Sequence, residues 1–341
     1  MTAGKREQDV GVLRMADITS WEGNILQVSI PMMPPLRRVN SYVLPDKTGK
    51  LTIIDPGPRT LESEKAWEGV LQELGISWSR VRNIVVTHHH PDHYGLAGWM
   101  QTRCGCTVWM SERSHVEARL MWGEGAGMDE ALPVFFARHG MPERWTSQIR
   151  EHLDSFLPQV SPQPEVSFID VNVPFHMGDR EWLPLETGGH APGHLSFYHK
   201  DSGQMLCGDA VLPLISPNVS LLPGSDPQPL LTFMEDLRKL LHYSVSLAFP
   251  GHREPFSGFT ARIEALLRHH EERLETVEAL LSEGPLTGYE LCEVLFRGRV
   301  DGIHQLRFAM SETLAHAAEL VRRGHVKELE SGGIIRYHNL D

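Results

Sequence analysis

At 341 residues the chain is longer than one ordinary domain, so one large domain or two smaller ones are expected. With 41% hydrophobic and 22% charged residues, the composition is that of a soluble globular protein able to bury a core. Lys and Arg number 32 against 44 Asp and Glu, and the net charge of −12 argues against nucleic acid or an anionic membrane as the partner.

The N-terminal stretch MTAGKREQDVGVLRMADI lacks the apolar run of a signal peptide. No stretch of about 18 apolar residues follows, so no membrane span and a cytoplasmic protein are expected. The four cysteines, Cys104, Cys106, Cys207 and Cys292, predict no disulfide framework. Cys104-x-Cys106 has the wrong spacing for a zinc knuckle and reads as two small buried residues.

Residues 24–57 read as short strands, NILQVSIPM, VNSYVLPD and KLTIIDPG, each bounded by Pro, Gly or Asp. TLESEKAWEGVLQELGI (60–76) reads as an amphipathic helix capped by Thr60, with Glu62 and Glu64 at its positive end. RNIVVTH is a buried strand that delivers a histidine cluster, GLAGWMQTRCG resumes as helix, and TVWMSE as strand. This alternation predicts a layered α/β domain. From about 111 to 160 the pattern turns helical and reads as an insertion. VSFIDVNVPF, REWLPLET, LSFYHKDSGQMLCGDAVL and VSLAFPG then return as strands. After about residue 260 long periodic helices and a Gly-centred hairpin, KELESGGIIRYH, predict a winged-helix-like module over 261–341. Residues 1–260 then form the main domain.

Four separated pieces offer metal ligands just after strand-like runs: His88-x-His90-x-Asp92-His93, His190 in ETGGHAPGHLSFY, Asp209 in MLCGDAVL, and His252 in LAFPGHREP. Gly and Pro crowd each piece, as expected where strand ends turn into loops that carry function. Neutral imidazole nitrogens and carboxylate oxygens suit zinc and related transition metals. His89 alternates with two candidate ligands and is expected to point away from them, in a supporting or solvated role.

The run T-H-x-H-x-D-H, followed by G-H-x-P-G-H, G-D and P-G-H, resembles the metallo-β-lactamase superfamily over roughly residues 24–258. The resemblance implies an αββα sandwich, here with a helical insertion and the mostly helical C-terminal module, and two metals at one edge. His88, His90 and His190 would hold the first metal, Asp92, His93 and His252 the second, with Asp209 bridging. Two zinc ions are the implied cofactors, iron or manganese the alternatives. Asp92 and Asp209 are the carboxylates expected to serve catalysis, in which a metal-bridging hydroxide attacks the substrate. The family pattern puts the ligand at His190, leaving His194 to support the site or line the substrate. Asp55, in IIDPG, is expected to orient a ligand loop through hydrogen bonds.

A bridging aspartate at Asp209 looks like the glyoxalase II, lactonase, RNase Z and phosphodiesterase branches, whereas β-lactamases proper usually carry another residue there. His90 departs from the glutamate of flavodiiron oxidoreductases. A thioester or ester of a small acyl substrate is the preferred target, with a lactone, a phosphodiester or RNA, and a non-enzymatic metal-binding regulator as alternatives. Met121, Trp122, Val134, Phe135 and Phe136 of the insertion form either a lid over an acyl chain or a packed layer. Residues 261–341 carry 10 Lys/Arg against 14 Asp/Glu, a net of −4, which weighs against RNA. Arg322, Arg323 and Lys327 read as a solvated helix end. PLISPNVS (213–220) is expected to pass near the metals, with Asn218 lining the substrate site, and Arg253 is expected to meet an anionic substrate tail. The C-terminal module is expected to cover the active-site edge or to mediate self-association as a homo-oligomer.

Overall fold

The structure is a computed structural model that describes residues 17–34 and 36–340. Its first sheet has seven strands in chain order: β1 (Asp17–Trp21), β2 (Ile25–Pro31), β3 (Arg38–Pro45), β4 (Leu51–Ile54), β5 (Val81–Val85), β6 (Thr107–Met110) and β7 (Val166–Phe168). The first four pair antiparallel, while β4 to β7 run parallel and need crossovers. These are α1 (Leu61–Leu74), then α2 (Pro91–Tyr94) with α3 (Ala97–Cys104), then α4 (Glu112–Trp122), α5 (Met128–Arg138) and α6 (Glu143–Asp154). Helix α1 starts where Thr60 accepts from Ser63 N and stops at Gly75 in the left-handed conformation, as its sequence predicts.

The second sheet has the order β12-β11-β10-β9-β8, built from β8 (Phe175–Met177), β9 (Arg180–Glu186), β10 (Leu195–His199), β11 (Gln204–Gly208) and β12 (Leu247–Pro250). Helix α7 (Pro229–Leu240) makes the crossover to β12, which is parallel to β11. VSFIDVNVPF is therefore not one strand. Asp170 accepts from Asn172 N in a turn, and the chain leaves β7 of one sheet to enter β8 of the other.

The two sheets face each other through Ile25, Tyr42, Leu44, Ile54, Leu195, Phe197, Leu206 and Phe249, all buried. Strand β3 is buried at six successive positions because it has this layer on one face and helices on the other. The outer core joins Trp67 of α1, Phe136 of α5 and Phe233 of α7 in one cluster that runs on to Tyr337 near the C-terminus. Cys106 and Cys207 are buried and Cys104 half-buried, but the Cys104 and Cys106 sulfurs are paired with each other, which the spacing did not predict.

Residues after 258 form α8 (Phe259–Ser282), β13 (Leu286–Thr287), α9 (Gly288–Leu295), α10 (Ile303–Arg323), β14 (Val326–Ser331) and β15 (Ile334–Asn339), with sheet order β13-β15-β14. Helix α9 begins with a reciprocal capping box between Thr287 and Glu290. The insertion helices touch this region directly: Tyr289 N donates to His139 O, and Tyr337 Oη lies 3.1 Å from His139 Nδ1. Arg322 and Arg323 are not a free basic patch, because Glu319 and Glu271 pair with them. No described helix is long and apolar enough to cross a membrane.

Candidate metal centre

Every candidate ligand sits just beyond a strand end at one edge of the two sheets. The β5 strand runs into His88–His93, Asp209 follows β11, His252 follows β12, and His190 lies in the turn from β9 to β10. Their donor atoms form three groups, each within 4.8 Å: His88, His90 and His190; His88, His93 and Asp209; and Asp92, His93 and His252. Asp209 Oδ2 stands 3.5 Å from His93 Nε2, 3.7 Å from His190 Nε2 and 3.4 Å from His252 Nε2. One carboxylate thus lies between the two histidine sets.

The imidazoles are held from behind. His93 Nδ1 donates to Asp55 Oδ2 at 2.9 Å, His190 Nδ1 to the Asn218 carbonyl at 2.7 Å, and His252 Nδ1 to the Arg38 carbonyl at 2.9 Å. Each Nε2 is thereby turned inward, and these three nitrogens are buried without a hydrogen-bond partner. Asp209 Oδ1 is also buried and unpartnered. His88 Nδ1 lies 2.9 Å from Thr87 Oγ1, which itself donates to Asp55 Oδ2 at 2.7 Å. Asp55 also accepts from Thr87 N at 2.7 Å, so it aligns both halves of the cluster. Inward-facing lone pairs with no hydrogen-bond partner are what a metal ion satisfies, and the donor set fits such ions.

The electrostatics divide along the same line. Burial, with help from neighbouring imidazoles, holds His88 and His90 well below the ordinary histidine value, and burial likewise lowers His190. Burial opposes charge on His252 too, but Asp209 and Asp92 overcome it and raise His252 to about 10. Asp209 is held well below the usual carboxylate range by His252 and His93, against the effect of its own burial. The carboxylates therefore call for positive charge among them.

A family model described as the metallo-beta-lactamase superfamily matches residues 34–252, and one described as the metallo-beta-lactamase-like C-terminal domain matches residues 274–340. The chain belongs to the metallo-beta-lactamase superfamily. Within it, a solved metallo-beta-lactamase family protein from Thermus thermophilus is 33% identical, with a TM-score of 0.81 over 93% of this chain and 98% of its own. A probable metallo-hydrolase of Bacillus subtilis is 29% identical over 86% of this chain and 91% of its own length. A hydroxyacylglutathione hydrolase of Methylococcus capsulatus is 26% identical over 64% and 67%.

On this metallo-beta-lactamase scaffold His194, expected to support the site or line the substrate, and Asn218, expected to line it, are both engaged by protein groups. His194 is fully buried, accepts from Asp209 N at Nε2 (3.1 Å) and lies 2.8 Å from Thr187 Oγ1 at Nδ1. Both nitrogens are engaged, so it props the Asp209 main chain and offers nothing to a substrate. Asn218 turns its amide to Glu312 Oε2 at 2.8 Å and Phe308 O at 3.3 Å on α10, and only its carbonyl serves the site, through His190. Arg253 is exposed beside His252 at a positive φ of 70°, with its carbonyl held by Asn40. His89 belongs to none of the three donor groups; it is buried, not solvated, and its carbonyl accepts from Trp122 Nε1 at 3.0 Å.

That last bond also bears on the insertion. Met121, Trp122 and Phe136 are buried in the core and Phe135 packs against it, so these four make a packed layer, not a lid, while Val134 is 62% exposed. A distant element that does approach the ligand edge is α10, whose Glu312 and Phe308 O accept from the Asn218 side chain behind His190. The helical period of α10 and a C-terminal module over the active-site edge were expected from the sequence, but not which of its residues turn inward, since its polar positions look like an ordinary solvated face.

Proposed function

We propose that this chain is a binuclear metallohydrolase that cleaves a thioester or related ester of a small acyl substrate. One observation carries the reading: His and Asp donors converge on a single buried edge, and the imidazoles anchored at Nδ1 aim unpartnered Nε2 atoms inward. His88, His90 and His190 would hold one ion, Asp92, His93 and His252 the other, with Asp209 between them. Nitrogen-rich donors favour zinc, with iron or manganese as alternatives. Bound there, two ions supply a water acid enough to attack near neutral pH and an electrophile for the carbonyl oxygen.

The protein's own part is orientation. Asp55 and Thr87 keep His88 and His93 in the tautomer that faces inward. His194 and Thr187 fix the main chain at Asp209, the carboxylate on which both halves depend. Arg253 at the rim is read as a contact for an anionic tail, and its exposure limits what such a pair contributes.

Thioester chemistry is preferred because a hydroxyacylglutathione hydrolase is among the relatives. The acidic net charge and the carboxylate-paired Arg322 and Arg323 weigh against RNA. A lactone would use the same centre, and the complete donor set weighs against a purely regulatory protein. The C-terminal order of helix, strand, two helices and two strands supports a winged-helix reading of that module.

The test is a panel of acyl-CoA, S-lactoylglutathione, an acyl-homoserine lactone, bis-p-nitrophenyl phosphate and single-stranded RNA, with elemental analysis of the protein. Fastest turnover of a thioester, with two equivalents of metal, is expected. Asp209→Ala should abolish turnover and lose at least one metal, and full activity of that variant with both metals retained would refute the assignment.

A further inference from the structure

A guanidinium taken out of water without an anion beside it is costly, so proteins bury Arg with a partner. Arg307, one turn into α10, is 7% exposed. Among the described residues its side chain makes no hydrogen bond or ion pair, and its Nε is buried with no acceptor. Burial alone pushes it down to about 10. Other arginines of the module are provided for: Arg273 pairs with Glu312, Arg323 with Glu271 and Glu319, and Arg262 donates to Leu212 O and Ile215 O.

The surroundings of Arg307 are aromatic. Its Cζ lies 4.2 Å from the Phe308 ring centre and 5.8 Å from that of Phe156, just beyond α6. His304, on the same helix, is 5.3 Å from His152 of α6 and 5.1 Å from Phe308, ring centre to ring centre. His152 Nε2 is a second buried nitrogen without a partner. This cluster adjoins the metal edge through Phe308 O, next in sequence to Arg307, which holds the Asn218 whose carbonyl carries His190.

We propose that Arg307, with His152, His304, Phe156 and Phe308, forms a subsite between the insertion and the C-terminal module for an anionic oxygen group of the substrate. A carboxylate or phosphate fits the planar fork of Arg, and the apolar rings shield the pair from water. This deepens the thioester reading, in which the anion belongs to the thiol-side carrier. Arg253 is a weaker candidate for that task because solvent screens it.

The experiment is calorimetric titration of the metal-loaded protein with two probes that are not turned over, coenzyme A (phosphates) and S-methylglutathione (carboxylates). Wild type, Arg307→Met and Arg307→Lys are compared. At least one probe should bind, which of the two telling phosphate from carboxylate. Affinity should fall about 10- to 100-fold in Arg307→Met and be partly restored in Arg307→Lys. Because no partner is stranded, Arg307→Met should keep its metal content and unfold at the wild-type temperature or above it. Failure of both probes to bind, equal affinity in wild type and Arg307→Met, or Arg307-dependent binding of a single-stranded RNA alone would each overturn the inference. Binding is read without turnover, so it stands or falls separately from the thioester activity.

Discussion

Gly251 measures how little room the ligand edge leaves. A Cβ at that position would run into Asp209 Oδ1 and stand 2.6 Å from His93 Cε1. Gly251→Ala is therefore expected to displace the central carboxylate and lower metal content while the fold survives, as elemental analysis beside circular dichroism will report. Asp55 makes a complementary case. It sits at a φ of 51°, which Asn also tolerates, so Asp55→Asn isolates the hydrogen bonds from the backbone. An amide has one acceptor oxygen, so it cannot accept from Thr87 N on one side and from Thr87 Oγ1 and His93 on the other, and affinity for the second metal should fall about 10- to 100-fold in a competition titration with a chelator. The ligands themselves were legible because each imidazole or carboxylate stands in a short motif at a strand end. Of the groups that aim them, Asp55 and His194 were expected in supporting roles, but the main-chain acceptors were not. His252 leans on the carbonyl of Arg38, and His190 on that of Asn218, and a main-chain acceptor leaves no mark on the sequence.

At the scale of elements, periodicity located α8, α9, α10 and the β14–β15 hairpin, since their apolar stripes recur at helical or strand spacing. What it hid was the polar content of α10, where Arg307, Glu312, His316 and Glu319 are all buried. His316 Nδ1 donates to Glu312 O at 2.7 Å and its Nε2 lies 3.1 Å from His270 Nδ1 on α8. Burial lowers His316 to about 3 and His270 to about 2, with Arg273 adding to both. Folded values below the unfolded one near 6.5 mean that the unfolded chain binds protons first. The pair's full contribution is thus present above about pH 6.5 and is lost progressively as pH falls toward 3. Each group costs about 1.4 kcal/mol per unit of pH in that window. His270→Gln should flatten the fall in urea-measured stability between pH 6.5 and 4.5 by roughly that slope, and an unaltered slope would remove the pair as its cause. The single strand expected over VSFIDVNVPF failed for a different reason. Both its halves have strand character, and only the docking of two sheets tells them apart.

At the scale of the whole molecule, the α/β layering was readable from the alternation of patterns, whereas the joining of its parts was not. Tyr337, fully buried, reaches His139 across 198 positions of chain and ties β15 to the end of α5. Tyr337→Phe would strand that imidazole nitrogen and is expected to cost about 1–3 kcal/mol in denaturant unfolding. The ligand edge is divided in a comparable way. The chain up to β7 brings His88, His90, Asp92 and His93, and the chain from β8 onward brings His190, Asp209 and His252. Neither half owns a finished pocket for either ion. Any ion lodged here acts as a rivet between two plates, and its affinity enters directly into how firmly the plates stay together. Free metal at 100 times its dissociation constant would then add about 2.7 kcal/mol against separation of the sheets. A chelator should lower the unfolding temperature of the entire protein, including parts far from the rivet, and metal scarcity would become a threat to the lifetime of the fold as well as to its chemistry.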